Sequence, residues 1–121
     1  MEERLAPFRE RPQDAEQLRK AVMEKLTKVP PTMEHVRDLV MNVRLMLRML
    51  TDVEFTLKEE ARADFFAALW YFIEEKDRLS DKLPIFGFKD DYEVVEYVLN
   101  KHRSEVERYL SSTRPYLAYW L

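Results

Sequence analysis

Residues 57–75 read LKEEARADFFAALWYFIEE. The stretch contains neither glycine nor proline, and Ala61, Phe65, Ala68, Leu69 and Phe72 recur at steps of three and four, the period of an α-helix. Small and large residues alternate along it, so neighbouring helices can approach closely, and the segment is expected at the centre of a helical bundle. Thr56 and Glu59 stand three apart, the spacing of a capping box, and are predicted to open it.

Moving toward the N-terminus, a second helix is predicted over 32–50, with Thr32 as its N-cap and its end near Thr51 and Asp52. Val36, Val40, Val43, Leu47 and Leu50 define its core face, while Met41, Leu45 and Met49 form another apolar stripe. A helix that buries both stripes needs neighbours on several sides. It is either the middle member of the bundle or shares a surface with another chain, as in a homodimer, with methionine supplying an adaptable contact. Arg37, Arg44 and Arg48 lie beside that stripe at steps of seven and four. They could meet phosphate or anionic lipid, although a solvated or ion-paired face is the expectation in an acidic protein. Before this helix, Pro30 and Pro31 end a helix predicted over 13–28, whose stripe is Ala15, Leu18, Val22, Leu26 and Val29. Glu16 with Lys20 and Glu24 with Lys28 are spaced to pair on its wet side. Residues 1–12 read as an arm that docks Leu5 and Phe8.

Toward the C-terminus, Asp90 and Glu93 repeat the capping-box spacing and are predicted to start a long helix running through Val94, Val95, Val98, Leu99, Val106 and Leu110. Lys101 with Glu105 and Arg103 with Glu107 should lace its exposed side. Thr113 and Pro115 read as a restart into an aromatic tail over 113–121 that carries Tyr116, Tyr119 and Trp120. Docking of these rings over the core is the expectation, since exposed aromatic area invites aggregation; a partner contact is the alternative. The fold expected is therefore all-α, one domain over 1–121, a compact bundle of four to five helices.

Composition narrows the functions. One glycine in 121 residues excludes phosphate-cradling loops, which need several to let the backbone approach a ligand. With no cysteine there is no disulfide framework, thiolate nucleophile or cysteine zinc site. The charged start MEERLAPFRERPQ is unlike a signal peptide, so a cytoplasmic protein is expected. Net charge is −3, which offers no global field for nucleic acid, and nucleic acid is not expected as a partner. The most apolar run, LVMNVRLML, is short and interrupted by Arg44, so no membrane span is expected and any membrane contact would be peripheral. His35 and His102 are the only histidines, and neither sits in a Glu-x-x-His pair. His102 falls inside the apolar stripe between Val98 and Val106, so a satisfied, partly buried imidazole is expected rather than a ligand or base.

Between the two last long helices lies a connector rich in aspartate: Asp77, Ser80, Asp81, Pro84, Gly87, Phe88, Asp90 and Asp91. This order resembles the signature of the YkvA-like domains of unknown function, small bacterial helical proteins whose pattern is Asp-x-x-Pro-Asp-x-x-Pro-x-x-Gly-Phe/Tyr-x-Asp-Asp. Ser80 stands where that pattern has its first proline, and Glu74, Glu75 and Lys76 replace more apolar residues. The resemblance implies a helical fold and names no reaction. Physically, the connector has two readings. In one, Asp90 caps a helix, Asp91 sits in its first turn, and Pro84 and Gly87 shape the turn. In the other, Asp77, Asp81, Asp90 and Asp91 converge as hard oxygen ligands for Mg²⁺ or Ca²⁺, and hydrolysis becomes available. The architectural reading is the expectation, because aspartate is common at caps and turns. With no cofactor motif, the chain is expected to be a non-catalytic interaction or scaffold module, with a protein partner or a second copy meeting Arg37, Met41, Arg44, Leu45, Arg48, Met49 or the tail aromatics.

Overall fold

The structure, a computed structural model, describes residues 1–29, 34–74 and 84–117, the side chains of 34, 35, 84–88 and 113–117 excepted. The described residues form helices α1 (Glu2–Leu5), α2 (Ala15–Leu26), α3 (Glu34–Thr51), α4 (Glu59–Glu74), α5 (Pro84–Lys101) and α6 (Arg103–Leu117), with a 3-10 helix over Ala6–Glu10. No strand occurs among them, as the helical periodicity implies.

Helix α4 is the hub. Every residue from Asp64 to Phe72 is buried. The helix packs on α1, the 3-10 helix, α2, α3 and α5. Rings such as Phe65 and Phe72, both fully enclosed, are each worth roughly 1.5–3 kcal/mol of transfer free energy. The alanines Ala61, Ala67 and Ala68 keep the surrounding helices close. Helix α3 leans chiefly on α5 and also touches α2 and α4, so it is covered on more than one side. Val36, Leu39, Val43, Met46 and Met49 are in the core, Leu45 is half-buried against it, and Met41 stays exposed.

The N-terminal arm docks as the sequence suggests. Residues three apart in a 3-10 geometry point the same way, and Leu5 and Phe8 both enter the core, with Phe8 edge-on to Tyr71 at 5.3 Å. The arm then passes through extended Arg11 to Asp14, which caps α2 by accepting from the Gln17 N–H at 3.1 Å. Leu18, Val22 and Val29 follow into the core, and Glu24 pairs with Lys28 at 3.7 Å.

Four expectations about helix ends are corrected. Helix α4 begins at Glu59 rather than beside a Thr56 cap: the Lys58 carbonyl accepts from the Arg62 N–H at 2.9 Å, and Thr56 gives its carbonyl to Arg108. Asp90 does not open a helix, because α5 already starts at Pro84, where a missing N–H and a fixed φ cost nothing. Pro84, Gly87, Asp90 and Asp91 are therefore helical, and Gly87 does not adopt positive φ. The long last helix is broken at His102, and the chain then runs helically through Thr113 and Pro115 to Leu117 without a restart there. The break also rotates the register, so Lys101 and Glu105 no longer share a face. Lys101 turns to Glu2 and Asp64, Arg103 to Asn100, and Glu105 is buried beside Arg108. Pro30, Pro31 and Thr32 lie outside the described residues.

Candidate functional site

A polar cluster forms where the arm, α4 and the α5–α6 junction meet. Its centre is Asp64, the buried carboxylate of α4, only 3 % exposed. Oδ1 accepts from Arg9 Nε at 2.9 Å, while Oδ2 lies 3.0 Å from Lys101 Nζ and 2.7 Å from His102 Nε2. Glu2 adds an outer layer, bonding to Arg9, Tyr97 and Lys101. Burial pushes the Asp64 carboxyl upward, but the bonds from His102, Lys101 and Arg9 outweigh it and leave its pKa below the ordinary value. Glu2 falls to about 2, chiefly through the Tyr97 hydroxyl and Arg9.

His102 is placed by the backbone as much as by its ring. Its N–H donates to the Val98 carbonyl at 3.1 Å, and its own carbonyl accepts from Glu105 and Val106 at 3.0 and 3.1 Å. One residue thus ends α5, begins α6 and holds Asp64. The partly buried, satisfied imidazole expected at this position is present, with Phe65 edge-on at 6.1 Å.

A second buried carboxylate, Glu105, holds the other end of α4. It accepts from the Lys58 N–H at 2.9 Å and from Arg108 at 2.9 and 3.1 Å. The Arg108 bond, then that from Lys58, lowers its pKa to about 2 despite burial. Arg108 also lies 4.2 Å over the Phe55 ring, which meets Tyr109 edge-on, and the Tyr109 hydroxyl donates to Asp52 at 3.0 Å. A third, Asp91, is 1 % exposed and sits 3.7 Å from Lys25 Nζ, whose ammonium also bonds the Phe72 carbonyl and lies 4.4 Å over the Phe72 ring.

The residues singled out from the sequence separate accordingly. Asp77 and Asp81 lie outside the described residues, as do Tyr119, Trp120 and the Tyr116 side chain. Asp90 is half-buried and Asp91 buried, neighbours on α5 that point about 100° apart. Among the described residues, no group of three or more His, Asp or Glu side chains is arranged to hold a metal ion. On α3, Arg37, Met41 and Arg44 are exposed, Leu45 and Arg48 half-buried, and Met49 enclosed. Sequence reasoning passed over Asp64 and set Glu105 on the exposed side of the last helix, where the structure buries it. The available signal for Asp64 was a lone acid in the apolar run ADFFAALWYF; Glu105 offered none, since its spacing from Lys101 and Arg108 suits any exposed helix.

Chemically, the Asp64 cluster is closed. Both carboxylate oxygens are engaged by cations, so the group is held as an anion whose acceptor capacity is used within the protein. No helix of the described residues is long and apolar enough to cross a membrane. Compared with known proteins, the chain matches no family model, no curated protein and no solved structure.

Proposed function

We propose that the chain is a non-catalytic interaction module that offers the outward line of α3 to a protein partner. The observation that carries this reading is the division of that helix: its apolar positions turn toward α2, α4 and α5, while Arg37, Met41 and Arg44 remain exposed along one side. Two arginines around a methionine, on a chain of net charge −3, suit a partner segment with acidic and apolar groups. The buried carboxylates Asp64 and Glu105 support the same reading, because each is spent on links between elements. The cation-binding alternative gains nothing from Asp91, which lies beside an ammonium group. Kinship with the YkvA-like domains rests on the order of Asp77, Asp81, Pro84, Gly87, Phe88, Asp90 and Asp91 in the sequence.

A photo-reactive amino acid placed at Met41 tests this directly. Irradiation in the cells that make the protein should give a covalent adduct with one defined protein, and Arg37→Glu with Arg44→Glu should abolish it while leaving the melting curve in place. No adduct, or one indifferent to both arginines, would remove the α3 face from consideration.

A further inference from the structure

Of the methionines on α3, Met46 and Met49 are enclosed in the core, while Met41 is 38 % exposed. Met23 on α2 is similarly open at 42 %, and Met1 is half-buried against the core. What sets Met41 apart is its bracket. Arg37 lies four positions before it and Arg44 three after, both exposed, so the three side chains share one side of the helix with neighbouring Cβ atoms about 5–6 Å apart. Arg9, Arg11, Arg19 and Arg108 each pair with an acid of the chain. Among the described residues Arg37 and Arg44 form no such ion pair, so their guanidinium donors are open to an acceptor. At the corresponding positions around Met23 stand Arg19, which lies 3.8 Å from Glu16, and Leu26.

A thioether is a weak acceptor and leaves those donors unused. Oxidation changes that. A sulfur lone pair attacks hydrogen peroxide, the S–O bond forms as the O–O bond breaks, and the departing hydroxide takes the proton from the transferred oxygen and leaves as water. Sulfur is oxidised by two electrons, the peroxide is reduced by two, and the side chain becomes a polar sulfoxide. We propose that Met41 is a peroxide-reactive modification site whose sulfoxide oxygen is captured by Arg37 and Arg44, and that its oxidation withdraws the α3 face from a partner. Two effects add. The apolar centre of the face becomes polar, and both cations that an acidic partner needs turn inward onto the new oxygen. Met23 lacks the second guanidinium, and the first is already paired. Met46 and Met49 keep their thioethers because the core excludes the oxidant. The chemistry at Met41 stands on exposure and spacing alone, whereas its consequence for binding rests on α3 being the partner-facing helix.

The test exposes the full chain to dilute hydrogen peroxide and maps it by peptide mass. Met41 and Met23 should each gain one oxygen well before Met46 and Met49. Phenylglyoxal labelling then reads the guanidinium groups: Arg37 and Arg44 should react severalfold more slowly in the oxidised chain, and a methionine sulfoxide reductase should restore their rates. In Met41→Leu, which stays apolar and cannot take up oxygen, peroxide should leave both rates as they were. For the binding consequence, a photo-reactive amino acid replaces Asp38, exposed on the same helix. Its adduct should be lost in peroxide-treated cells and retained there when Met41→Leu is added. An adduct missing even from untreated cells would count against the α3 reading and leave the labelling result standing. Met41 oxidising no faster than Met49, labelling rates that ignore the sulfoxide, or an adduct that survives oxidation of Met41 would overturn the proposal.

Discussion

Asp64 and Glu105 are equally buried, each about 3 % exposed, yet they are satisfied in opposite ways. Glu105 takes a guanidinium one turn away on its own helix and a single backbone N–H from the start of α4. Asp64 takes nothing local: Arg9 is 55 positions distant and His102 is 38. Glu105 therefore locks one joint, whereas Asp64 fastens the arm, α4 and the α5–α6 junction at a single point. A buried carboxylate in a helical protein can serve as a clasp or as a crossroads, and its partners tell which.

The sharpest way to break the comparison is to remove the crossroads. Asp64→Ala leaves Arg9, Lys101 and His102 around an empty site and should cost about 3 kcal/mol in denaturant unfolding, the low end for a broken buried pair because Arg9 and Lys101 are still partly wetted. It should also speed hydrogen exchange across both the arm and residues 98–106. A loss confined to either region would mean that Asp64 joins two elements rather than three.

Removing the clasp should cost less and depend on pH. Glu105→Gln keeps the shape but weakens the bonds to Arg108 and Lys58, at about 2 kcal/mol near neutrality. The carboxyl's pKa is about 2 in the folded chain against 4.5 otherwise, so its stabilisation is fully present above 4.5 and disappears as pH falls toward 2. The difference in unfolding free energy between wild type and Glu105→Gln should accordingly shrink across that interval. A difference that stays constant from pH 6 to pH 2.5 would show that the charge of Glu105 plays no part.

The contrast also explains what could be read in advance. Helix period is local, and the central place of α4 and the docking of Leu5 and Phe8 were visible in the spacing of apolar residues, whereas the double stripe of α3 left a choice between the middle of the bundle and a surface shared with another chain. Helix ends were not, because distant partners decide them. Lys58 caps α4 where Thr56 seemed better suited, since Glu105 holds the Lys58 N–H from 47 positions away. Asp90 and Glu93 look like a cap, yet the same i, i+3 spacing fits a helix interior, and Pro84 was the true start signal. His102 was legible as a satisfied imidazole but not as the junction of two helices. Asp64 was missed because nothing in its neighbours announces cations that arrive from both ends of the chain.

The smallest expected effect concerns the outer edge of the arm. Arg11 and Glu74 pair through two bonds but remain 39 % and 31 % exposed, so water competes with both and Arg11→Ala should leave the global melting midpoint unmoved. Its influence should appear locally instead. The arm opens by sub-global fluctuation, and losing one rim contact raises the open population even when the core is untouched. Amide exchange at Leu5 and Phe8 should become faster in Arg11→Ala, and raising salt should narrow the gap from wild type because the rim pair is screened. If exchange in the arm instead tracked global unfolding in both proteins, the arm would open only with the core, and Phe8 rather than the charges would be what holds it.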